Sequence, residues 1–166
     1  MGASHANMRL APTPSVYYAE SIVRCTLAQA WEAMLDYQSW NPTFVGAQVI
    51  PVKGEPRTQG EVVLISKRLT DLKGEPLPEF FAETVRVVQH RHIVWYVYPK
   101  DREGFRNFVD FCISEAAGGV RFSIQYYEQD LVSGELLVEH RNNNTATLEQ
   151  SAAAFKTYCE SQFQRA

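Results

Sequence analysis

The sequence lacks any apolar run long enough to cross a bilayer. Its longest, Ile93 to Pro99, has seven residues, against about 20 for a membrane-spanning helix. No stable membrane insertion is therefore expected. Cysteine is scarce, with three residues, Cys25, Cys112 and Cys159, odd in number and widely spaced. That pattern excludes a disulfide scaffold and suits a reduced, cytoplasmic protein with buried thiols. An excess of either charge is missing too. With 16 basic against 19 acidic residues the net charge is −3. Such a surface offers little attraction to phosphate backbones, so no nucleic-acid partner is expected. Residues 1–15 hold one Arg and no long apolar stretch. They lack the charged and hydrophobic regions of a secretory signal. Pro12 and Pro14 keep this stretch out of a helix, and it reads as a flexible N-terminal arm.

Catalytic and metal-binding signatures are equally sparse. There is no G-x-S-x-G elbow, H-E-x-x-H, P-loop or G-x-G-x-x-G. The scattered Cys residues have no evident His partner, so a thiol nucleophile is unsupported. His90 and His92 would share a face on a strand and could ligate a metal. They sit at an expected turn, however, and no Cys or carboxylate pattern joins them along the chain. The reading is a solvated turn, with no metal and no cofactor.

What the sequence does have is the makings of one core. At 166 residues and 45% hydrophobic, it can bury roughly 70% of the surface its unfolded chain exposes. No linker or composition shift divides it, and residues 16–166 read as a single domain. Tyr17 to Cys25 is rich in β-branched and aromatic residues and reads as a strand. Thr26 then stands three residues before Gln29, the spacing of a capping box. It opens a helix to Asp36 with Leu27, Trp31, Met34 and Leu35 on one face. Tyr37 to Pro42 breaks that helix.

Six β signals follow: Phe44 to Val52, Gly60 to Lys67, Phe80 to Val88, Ile93 to Tyr98, Phe105 to Glu115 and Gly119 to Gln129. The tetrapeptide Lys-Gly-Glu-Pro occurs twice, at 53–56 and 73–76, and marks reversals. Ala117-Gly118-Gly119 is a hairpin turn. Asn142 to Asn144 reads as a loop. Thr147 and Gln150 then cap a final helix whose Leu148, Ala152, Phe155 and Cys159 form one apolar stripe. Consecutive strands joined by short turns make an antiparallel sheet. One helix cannot fill the concave face of seven curved strands, so a cavity between the two is expected.

Ala30-Trp31-Glu32-Ala33-Met34-Leu35-Asp36-Tyr37, followed by Trp40-Asn41-Pro42, resembles the early segment of the START-like (SRPBCC) superfamily. Gly60-Glu61-Val62 resembles the glycine that opens its third strand. Ala152-Ala153-Ala154-Phe155-Lys156 resembles its terminal helix. That superfamily includes birch-pollen-allergen-like proteins, polyketide cyclase/dehydrases and plant abscisic acid receptors. The resemblance covers about Tyr17 to Phe163. It implies an α+β helix-grip fold: a curved seven-stranded antiparallel sheet around a long C-terminal helix, with two short helices after the first strand. The scaffold serves binding proteins, enzymes and chaperone partners alike, so it does not by itself give an activity.

Strand alternation assigns side chains to the cavity. On the sixth strand Asn107, Val109 and Phe111 should face inward. On the seventh, Phe122, Ile124 and Tyr126 should. On the fourth, the inward choice is Phe81, Glu83, Val85 and Val87. On the fifth, Trp95 and Tyr96 lie on opposite faces and alternation does not choose, although Tyr96 is counted in the lining. Trp40, Phe155 and Tyr158 complete it. A one-residue bulge would invert any of these assignments. A mostly apolar lining with a few polar groups suits a hydrophobic or aromatic small molecule, such as a lipid or polyketide. If Glu83 is buried, desolvation should raise its pKa unless a cation such as Arg141 answers it.

The alternative is an enzyme of the cyclase/dehydrase kind. Glu83 or Tyr126 would then act as acid or base, with Asn107 positioning a carbonyl. A chaperone-type interaction protein is a third reading. The expected state is a monomer or homodimer. Leu69 to Glu79 and Pro99 to Gly104 are similar in position to the gate and latch loops of the abscisic acid receptors. Gly74, Pro76, Leu77, Pro78 and Arg102 would then control entry.

Overall fold

The computed structural model describes residues 17–42, 44–66, 79–101, 105–130 and 141–163. β1 (Tyr17–Val23) leads into α1 (Leu27–Leu35) and the one-turn α2 (Tyr37–Trp40). Six strands follow in succession: β2 (Gln48–Lys53), β3 (Val62–Ser66), β4 (Phe80–Val88), β5 (His92–Pro99), β6 (Phe105–Ala116) and β7 (Gly119–Asp130). α3 (Arg141–Phe163) closes the chain. The sheet order is β1-β7-β6-β5-β4-β3-β2, antiparallel throughout. This is the α+β helix-grip architecture.

Local chemistry explains the elements. The capping box forms: Gln29 N donates to Thr26 Oγ1 at 3.2 Å, and Thr26 N donates to Gln29 Oε1 at 2.9 Å. The Trp40 indole N–H donates to the Ala33 carbonyl at 2.7 Å, which ties α2 to α1. The apolar stripe of α3 is fully used: Leu148, Ala152, Phe155 and Cys159 are buried. α3 lies on β1 and β7 and touches α1 and α2. The β6–β7 hairpin is set by Gly119, whose φ is +143°. A Cβ there would stand 2.1 Å from the Val23 carbonyl oxygen, so the hairpin can only close against β1 with glycine. Pro51, which cannot donate to a ladder, sits on β2, an edge strand, beside a register shift.

Two expectations are corrected. α3 begins at Arg141, not after an Asn142–Asn144 loop. Asparagine is a weaker helix former than alanine by well under 1 kcal/mol, about 0.7 at most, so helix propagation from the packed half of α3 overrides it. The second correction concerns β4. Its register with β5 shifts between Thr84 and Arg86, leaving Val85 as the extra residue of a bulge. Before the bulge it is Ala82 and Thr84 that are buried, with Phe80 packed on the core. Phe81 and Glu83 therefore point to the outer face. Beyond the bulge the phase inverts, so Val87 packs inward as expected.

Candidate functional site

The concave face divides into a filled part and a part with unused polar chemistry. The filled part is a run of rings. Phe155 of α3 stacks on Phe122 of β7 with centroids 3.9 Å apart. Trp40 meets Phe155, Phe122 and Phe111 edge-on at 5.0, 5.7 and 6.2 Å. Phe111 in turn meets Trp95 at 4.8 Å, and Trp95 meets Phe44 and Tyr37 at 5.2 and 4.8 Å. Trp40, Phe111, Phe122, Ile124 and Phe155, all expected to line a cavity, are buried core residues here. Seven rings in edge and stacked contact close the space between helix and sheet at this level.

Further along β6 the face changes character. Asn107 pairs with Val97 of β5, Val97 with Ala82 of β4, and Val109 with both Trp95 and Tyr126. Their side chains share the concave face. Val97 and Val109 are only half-buried. Asn107 Oδ1 is buried and has no hydrogen-bond partner. A buried carbonyl left unpaired destabilises a fold by about 1–3 kcal/mol. Tyr126 is 8% exposed and packs against Tyr17 at 5.0 Å.

A shallow depression lies at the other end of the sheet, beside the β4 bulge. Leu35, Tyr37, Thr84, Val87, Ile93 and Trp95 line it, with Arg57 and Glu61 at its polar side. Its cavity volume is only about 10 Å³, room for a single water. Burial, then the Glu61 carboxylate, pushes the Tyr37 phenol above its ordinary pKa. Glu61 is held in place, accepting from the Arg57 backbone N–H at 2.8 Å.

The residues expected at the site thus separate. Asn107, Val109 and Tyr126 come together on the concave face. Glu83 and Tyr96 pair with each other on the outer face, because the β4 bulge sets the register there. Tyr96 instead joins an outer aromatic row, meeting Phe108 at 5.0 Å and Tyr98 at 4.9 Å, with Phe81 on Tyr98 at 5.5 Å. Tyr158 carries its hydroxyl to the Asp36 carboxylate, so it joins α3 to the end of α1. Gly74, Pro76, Leu77, Pro78 and Arg102 lie outside the described residues. Sequence reading missed Trp95, Thr84 and Val97, whose inward positions follow only from the bulge and the pairing of β5.

No family model matches the sequence, and no curated protein does. Solved structures do. The crystal structure of Ara h 8.0201 matches with a TM-score of 0.65 at 14% identity, over 88% of this chain and 97% of that one. Protein CV1439 from Chromobacterium violaceum matches with a TM-score of 0.64 at 13% identity, over 89% and 98%. DynU16, from the dynemicin biosynthetic locus, matches with a TM-score of 0.61 at 12% identity, over 89% of this chain and 48% of that one. These matches show the helix-grip fold. Among the described residues, no helix is long and apolar enough to cross a membrane.

Proposed function

We propose that the protein binds a small hydrophobic or aromatic molecule on the concave face, at Val97, Asn107, Val109 and Tyr126. The observation that carries this reading is the unpartnered Oδ1 of Asn107. An acceptor held there without a partner is a cost in the free protein that a ligand N–H or O–H removes. The half-buried valines beside it supply apolar contact. The ligand class is therefore an apolar body bearing at least one hydrogen-bond donor. The ring cluster of Trp40, Phe111, Phe122 and Phe155 acts as the rigid floor of the site. Binding rather than catalysis is the reading favoured, because Glu83 stands on the opposite face of the sheet from Asn107 and Tyr126.

Native mass spectrometry of freshly purified protein, compared with its denatured mass, tests retention of a ligand. Titration with the apolar dye anilinonaphthalene sulfonate tests the site directly. Retained mass or one-to-one dye binding is expected, abolished by Val109→Trp, which fills the space. Dye binding unchanged by Val109→Trp, with no retained mass, would overturn the proposal.

A further inference from the structure

The opposite face of the sheet carries a cluster that is scattered in the sequence. His92 opens β5, and Asp110 and Cys112 lie on β6. The register sets His92 opposite Cys112 and Val94 opposite Asp110, so all three side chains share the outer face. His92 Nδ1 stands 3.7 Å from Asp110 Oδ1. The Cys112 thiol donates to the same carboxylate oxygen at 3.3 Å. One ligand atom from each residue lies within 4.8 Å of the others. His92 and Asp110 side chains are 21% and 29% exposed, sheltered yet reachable from solvent.

The imidazole is the unusual member. Its Nε2 is buried with no hydrogen-bond partner, and Nδ1 is beyond hydrogen-bond range of the carboxylate. A half-buried histidine normally has at least one nitrogen engaged. Its Nδ1 faces the Asp110 carboxylate without bonding to it. Imidazole, thiolate and carboxylate together are the donor set of zinc and of metals with similar preference. The His92–Asp110 and Cys112–Asp110 spacings, 3.7 and 3.3 Å, are close to those between neighbouring ligands of a tetrahedral ion.

We propose that His92, Asp110 and Cys112 bind a divalent transition-metal ion, zinc by the chemistry of its ligands, with water completing the shell. The metal–sulfur bond forms as the Cys112 thiol releases its proton to solvent. Asp110 is the central ligand, since it already touches the thiol. Ser123, opposite Cys112 on β7, is the nearest hydroxyl in the register. The site lies across the sheet from Asn107 and does not depend on the binding reading above.

The experiment is titration of the metal-free full chain with zinc alone, followed by calorimetry, and with cobalt alone, followed by near-ultraviolet absorption. One equivalent of zinc and a thiolate-to-cobalt charge-transfer band are expected. Cys112→Ser should abolish the band, and His92→Ala and Asp110→Asn should each weaken zinc binding by about tenfold or more. Cys25→Ser should change neither. The proposal is overturned if the wild-type chain takes up no stoichiometric metal, if the band survives Cys112→Ser, or if it is lost in Cys25→Ser. The wild-type cobalt spectrum and the Cys25→Ser control keep the test decisive even if a ligand variant fails to fold.

Discussion

The ring of Phe155 lies parallel to that of Phe122, 18° off coplanar with centroids 3.9 Å apart. Both side chains are 0% exposed. This one contact joins the terminal helix to the seventh strand and supports Trp40 from below. Phe155→Ala should destabilise the protein by about 3–5 kcal/mol, because the cavity it leaves is walled by rigid rings. The midpoint of thermal unfolding should fall by on the order of 10 °C. A fall of only a degree or two would mean that the helix is held elsewhere.

Asn107→Leu should behave in the opposite way. It removes a buried acceptor that has no partner and replaces it with an apolar group of similar shape. The expected effect on stability is neutral to slightly favourable, by up to about 1 kcal/mol. Affinity for the molecule recovered with the protein should fall at least tenfold, which is about 1.4 kcal/mol. Urea unfolding and a binding titration on the same two samples measure both arms. Joint loss of stability and binding would mean that Asn107 is a structural residue.

The β4 bulge makes a claim about faces that mutation can check. Trp95 is buried in the ring cluster, whereas Glu83 lies on the outer face. Trp95→Ala should cost about 3–5 kcal/mol. Glu83→Gln should stay within about 0.5 kcal/mol and leave ligand binding unchanged. Chemical denaturation curves of the two variants decide it. A large effect from Glu83→Gln would place that carboxylate inside and displace the bulge.

Acid stability should depend in part on Glu160. The Lys156 ammonium 2.6 Å away, and then the Arg24 backbone N–H at 3.0 Å, hold its carboxyl below the ordinary value of 4.5. A depressed carboxyl pKa stabilises the fold above the unfolded value. That stabilisation is lost as pH falls below 4.5 and through the folded pKa. Glu160→Gln should flatten the fall in stability over that acid window and change little at neutral pH beyond the loss of a partly exposed pair. Unfolding midpoints of both proteins across that window supply the comparison.

Cys25 and Cys159 approach each other where β1 meets α3. Burial is the main reason that both thiols are held above their ordinary range. Cys159 is fully buried and Cys25 half-exposed. Iodoacetamide should therefore modify Cys25 slowly in the native state, and Cys159 only on unfolding. Peptide mapping after timed alkylation gives the order. Equal rates at the two positions would show that this end of α3 opens readily.

What could be read from the sequence was what local physics decides. The Thr26–Gln29 capping box, the apolar stripe from Leu148 to Cys159, the succession of elements along the chain and the Gly119 turn all depend on near neighbours, and each appears in the structure. The alternation of β6 and β7 was legible for the same reason: no bulge interrupts their pairing from Phe105 to Gly119. Only the tertiary structure decided the rest. One extra residue at Val85 turned Phe81 and Glu83 outward, and a bulge depends on the partner strand, which composition does not encode. The filling of the concave face by Trp40, Phe122 and Phe155 required three elements to meet. His92 stands 18 and 20 residues from Asp110 and Cys112 along the chain, since 110 and 112 less 92 give those separations. Strand pairing brings the three to one face, because register, not sequence distance, sets which side chains are neighbours.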